Sequence, residues 1–149
     1  MQKPKRVHLA TGRSAAILRV ENFDSPVSVN AGRYVLLIVS EKNPVPLGIK
    51  TARAWVDAGA SYICVWGPDS EEVEELFDYA SILPEYGGEL PFTLLTTMHK
   101  DEPIEEALWF AFNCAKSQES EPELHAVLIV VDSEALETRC RFWLEIDSD

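Results

Sequence analysis

Four apolar runs that do not alternate constrain this chain most. They are Tyr34–Val39, Tyr62–Trp66, Phe92–Thr97 and Ala126–Val131. A strand with one face in water alternates apolar and polar residues, whereas a strand covered on both faces does not. Three segments of helical periodicity lie between the runs. The first spans residues 47–58 and is followed by Gly59, a residue suited to the left-handed turn that ends a helix. The second spans 70–81, with Val73, Leu76, Phe77 and Ala80 on one arc and Glu71, Glu72, Glu74, Glu75 and Asp78 on the other. The third spans 102–116, with Ile104, Ala107, Leu108, Ala111 and Ala115 as its inner stripe. This succession predicts an α/β fold: a three-layer Rossmann-like or flavodoxin-like sheet, mostly parallel, with right-handed crossovers. The default order of the four strands is roughly 2-1-3-4 in such doubly wound sheets.

The two ends read differently. Residues 1–33 form a short N-terminal β segment, with Ala15–Val20 as its best strand and Thr11–Ser14 as a turn. At the other end Arg139–Ile146 alternates in polarity, and only Asp132–Thr138 separates it from the preceding run. That span is too short for a parallel return, so it predicts an antiparallel C-terminal edge strand. No linker breaks the pattern, and residues 1–149 read as a single α/β domain with its core over 34–149.

Charge narrows the function. The chain carries 13 Lys and Arg against 25 Asp and Glu, a formal net charge of −12. Such a surface repels nucleic-acid phosphates and anionic membranes, and it speeds encounter with a basic protein. No run approaches the length of a membrane span. The basic start is followed by His8, Thr11, Gly12, Arg13 and Ser14 rather than an apolar stretch, which argues against an export signal. Three scattered cysteines, Cys64, Cys114 and Cys140, fit a reducing compartment. Together these features place the protein in the cytoplasm as an expectation.

Chemistry in an open α/β sheet sits beyond the carboxyl ends of the strands. Those ends carry Ser40 and Glu41; Trp66, Gly67 and Asp69; His99, Asp101 and Glu102; and Asp132 and Ser133. If they converge, Asp69, Asp101 and Asp132 could hold a divalent cation, and His99, Asp101 and Asp132 could do acid–base work. The commoner meaning of Asp69, Asp101 and Asp132 before helix starts is capping of free N–H groups. The chain has no G-x-G-x-x-G, phosphate-loop, G-x-S-x-G or H-E-x-x-H motif, and no cofactor is indicated.

The third helix is apolar nearly all round, because Trp109 and Phe110 lie away from its inner stripe. Such a helix is deeply buried or covered by something else, and a second copy of the chain is one candidate cover. Trp143 raises the same question.

The stretch Trp55, Gly59-Ala60, Trp66-Gly67, Glu74 and Asp78 resembles small uncharacterised bacterial Rossmann-like domains. In size and acidity the chain also resembles bacterial immunity proteins, and that resemblance implies neutralisation of a cognate toxin by direct binding. Two readings follow. The first is an acidic cytoplasmic binding protein, not an enzyme, contacting a basic partner through Trp66, Asp69, Glu71, Glu74, Glu75, Asp78 and Trp109. The second is a small metal-assisted hydrolase or nucleotide-binding enzyme at the strand ends.

Overall fold

The continuous apolar runs become the buried middle of a sheet. The computed structural model describes residues 7–8, 12–28 and 32–147. Strands β3 (Tyr34–Val39) and β6 (Ala126–Val131) are buried at every position, and β4 (Ala60–Trp66) at all but its last. Around them lie β1 (Val7–His8), β2 (Ser14–Arg19) and β5 (Leu95–His99), giving the order β1-β2-β6-β3-β4-β5. Every neighbouring pair is parallel except β1 with β2.

The two-residue period of the strands sorts their side chains between two cores. Leu36, Ile38, Ile63, Val65, Leu128 and Val130 face helices α1 (Ile49–Ala58) and α2 (Ser70–Ala80). Val35, Leu37, Val39, Cys64, Val127, Ile129 and Val131 face α3 (Ile104–Asn113) and α4 (Glu134–Asp147). The expected three-layer α/β architecture is therefore present. Gly59 ends α1 at φ 133°, as its position after the helical pattern predicts.

The N-terminal segment is built into the same sheet. Beyond β2, Phe23 is fully buried in the core under α1, and its carbonyl accepts the indole N–H of Trp55 at 2.8 Å. The Tyr34 hydroxyl donates to the Val27 carbonyl at 2.6 Å, and burial pushes its pKa up. Both bonds satisfy polar tips of large aromatic side chains, which are costly to bury unpaired. The basic residues 1–6 and Thr11 of the expected turn lie outside the described residues.

Three sequence expectations are corrected. The expected C-terminal edge strand, Arg139–Ile146, lies instead within α4. Its alternation is incidental: Leu136, Cys140 and Leu144 recur every four residues and are buried, while Phe142 is 64% exposed. Glu137 and Arg141, four apart, pair at 2.9 Å on the helix. The order of the four core strands is 4-1-2-3 rather than 2-1-3-4. The reason is β2, which offers β6 a second parallel neighbour, so that the wholly apolar β6 has both edges paired. Finally, the third run enters the sheet late, since β5 begins at Leu95 rather than Phe92. Phe92 instead packs on the α1–α2 core with the Arg33 guanidinium 3.7 Å above its ring. Among the described residues no helix is long and apolar enough to cross a membrane.

Candidate functional site

Crossovers diverge between β3 and β6, because β3 leads to α1 on one face and β6 to α4 on the other. Folds of this kind bind ligands at such a divergence. In this chain its own side chains occupy it. Ser40 donates its hydroxyl to Asp132 Oδ2 at 2.7 Å, and Lys42 Nζ lies 3.7 Å from the same oxygen. The Asp132 side chain is 2% exposed. Asp132 is thus a buried tie between strand ends and not a cap. The capping role falls to Ser133, whose hydroxyl accepts the Leu136 N–H at 3.2 Å.

The next strand end is equally closed. Gly67 adopts φ 129°, and a Cβ there would meet the Ser40 carbonyl oxygen at 1.9 Å. Only glycine lets the β4–α2 turn approach β3 so closely. Buried Asp69 makes no cap bond to α2; its Oδ2 accepts the Val45 N–H at 2.7 Å and pins the loop after β3. Burial, then the neighbouring Glu72, raises its pKa, against the lowering effect of the Val45 bond.

At the end of β5, Asp101 is exposed at φ 62°, and Pro103 takes the position before α3. Asp69, Asp101 and Asp132 therefore stand at the ends of β4, β5 and β6, not around one point. His99 and Asp132 belong to strands three places apart, about 14 Å at the usual strand spacing. Among the described residues no three His, Cys, Asp or Glu side chains group as metal ligands.

His99 has other partners. Its Nδ1 lies 2.9 Å from Glu102 Oε1 and its Nε2 2.9 Å from the Thr97 hydroxyl. With Nδ1 protonated, the imidazole donates to the carboxylate and accepts from the hydroxyl. The residue is 5% exposed beneath the Phe110 ring, whose centroid lies 4.9 Å away. The imidazole therefore anchors a floor rather than facing a substrate.

That floor belongs to a groove of about 750 Å³ between β5 and α3, lined by Met98, His99, Glu102, Glu105, Glu106, Trp109, Phe110 and Trp143 among others. Trp109 is 56% exposed and Met98 47%. Phe110 closes down on His99 and Tyr62, and Trp143 leans on Phe112 with ring centroids 5.5 Å apart. Arg139 neutralises Glu105 through two bonds of 2.9 and 3.1 Å, leaving Glu102 and exposed Glu106 as the acidic rim.

The expected binding residues divide around this groove. Trp109 is in it. Trp66 is half-buried, and its indole N–H donates to the Glu102 carbonyl at 2.8 Å, so it props the loop before α3. The acidic arc of α2 lies across the sheet from α3. On that arc Glu74 has its pKa raised by burial first, then by Asp78, Glu71 and Glu75. Asp78 accepts the Thr96 hydroxyl at 3.0 Å, bringing the arc to the opposite flank of β5. Sequence reasoning missed Met98 and Glu106. Neither carries a sequence signal of its own: Met98 lies just past the third apolar run, and Glu106 reads as one more solvated acid on a helix.

A second cavity, of about 650 Å³, opens at the upstream ends of β2 and β6, with Arg13, Lys116, Glu123 and His125 on its walls.

A family model described as a domain of unknown function (DUF7684) matches residues 5–145. The chain belongs to the DUF7684 family. The match runs from before β1 into α4 and so contains every residue of the Trp109 groove. No curated protein matches the chain.

Proposed function

We propose that this DUF7684 domain is an acidic cytoplasmic binding protein that captures a basic protein at the Trp109 groove. Its mode of action on this reading is that of an immunity protein, which neutralises a toxin by direct contact. The observation that carries the proposal is a tryptophan left 56% exposed beside carboxylates in an aromatic-floored groove. Tryptophan anchors commonly dominate interface energy, and rim charges set the rate of encounter. The net charge of −12 and the mutual repulsion around Glu74 support the same partner chemistry, since a cation brought to the arc relieves that repulsion.

A photo-crosslinking residue at position 98, on the groove wall with Trp109 left in place, used in the source cells with mass-spectrometric identification, tests the reading. The expected product is one basic protein, lost at high salt and undetected from a crosslinker placed at the exposed Glu145. An acidic product, or no product from position 98, overturns it.

A further inference from the structure

β5 is an edge of the sheet, and it is not covered as β3, β4 and β6 are. Four of its five residues are half-buried or exposed. It pairs with β4 through Leu95–His99, and among the described residues no other segment takes a backbone bond from it. A strand alternates its backbone N–H and C=O groups between its two sides, so one side of β5 presents unpaired donors and acceptors. Natural edges are commonly protected by lysine, proline or a bulge within the strand. Leu95-Thr96-Thr97-Met98-His99 contains none of these.

Carboxylates flank this open edge on both faces of the sheet. Asp78 bonds to Thr96 on the α2 side, and Glu102 and Glu106 line the groove on the α3 side. A second copy of the chain, itself at −12, would bring like charges against these groups. A basic segment meets them with the opposite charge on each face.

Resting on the binding function proposed above, we propose that the partner's basic segment is extended and adds to β5 as a further strand of the sheet. Main-chain hydrogen bonds then supply affinity, and alternate side chains fall to the Trp109 groove and to the Asp78 side. Lysine or arginine at those alternate positions reaches carboxylates on both faces.

The test uses an end-blocked octapeptide, Lys-Lys-Val-Val repeated twice, which puts lysine on both faces of a strand, read by the tryptophan fluorescence that Trp109→Phe removes and by amide exchange of the full chain. Two further peptides carry N-methyl groups on alternate residues, one set for each register, which keeps charge but removes strand N–H donors. The expected result is binding of the plain peptide, at least tenfold weaker binding of one or both methylated forms, and slowed exchange confined to Leu95–His99. Met98→Lys, at an exposed position, should weaken the plain peptide several-fold while circular dichroism stays unchanged. Equal binding of all three peptides overturns strand addition and leaves the groove reading standing. Binding by none overturns both. A wild-type dimer by light scattering that Met98→Lys dissolves assigns the edge to a second copy and overturns the basic occupant.

Discussion

The Ser40 hydroxyl and the Asp132 carboxylate, 2.7 Å apart, join the ends of β3 and β6 where the crossovers part. A position that holds ligands in many related folds is therefore spent on holding strands together. Asp132→Ala leaves the Ser40 hydroxyl and the Lys42 ammonium without their acceptor. An unpaired group of this sort costs about 1–3 kcal/mol. Urea unfolding of Asp132→Ala should show a loss in that range, and a loss below about 0.5 kcal/mol, the size of an ordinary surface change, would contradict the tie. On the same account, Mg²⁺ or nucleotides should not raise the melting temperature through Asp69, Asp101 and Asp132, a shift that tight native-state binding would produce.

Gly67→Ala should be the more damaging change. Its new methyl would stand 1.9 Å from a backbone oxygen, which cannot swing away as a side-chain tip can, at a φ of 129° that suits glycine alone. Overpacking of this kind costs about 1–3 kcal/mol, and the backbone strain adds about as much again. Thermal unfolding should place Gly67→Ala well below Asp132→Ala; a melting temperature equal to wild type would refute the close approach of the β4–α2 turn to β3.

Glu74 links stability to pH. Burial and then Asp78, Glu71 and Glu75 raise its pKa above the ordinary 4.5. The folded chain therefore holds this proton more tightly than the unfolded chain does. The contribution of Glu74 is fully present below pH 4.5 and is lost as pH rises through the raised native value. Glu74→Gln removes the charged form and should stabilise the free protein at pH 7, by about 1–2 °C for a surface-scale change in a chain of this size. Calorimetry should find that gain at pH 7 and little of it at pH 4. A loss at pH 7, or an equal gain at both, would exclude repulsion as the cause.

The layers of the fold were legible because buried strands must be apolar throughout, and Tyr34–Val39 and Ala126–Val131 are. The acidic arc of α2 was legible from its periodicity. The last helix was not, because alternation at Cys140, Phe142 and Leu144 coexists with a four-residue repeat, and short segments satisfy both periods at once. Strand order was hidden because it depends on which strand β2 adopts as neighbour, a contact more than 100 residues away in sequence for pairs such as Ser14 and Ala126. Trp109 stood out in sequence as misplaced on its helix. The groove around it did not, because Met98 and Glu106 join it only through the packing of α3 beside an edge strand.

The central claim is that charge guides a basic protein to the chain and Trp109 holds it there. Stopped-flow association of the protein captured from position 98, across ionic strengths, measures both parts together. The account predicts an association rate that falls steeply with salt and drops roughly tenfold at low salt when Glu71, Glu74 and Glu75 become lysine, with Trp109→Ala acting mainly on dissociation. Rates indifferent to salt and to the charge reversal, together with unchanged dissociation in Trp109→Ala, would contradict it.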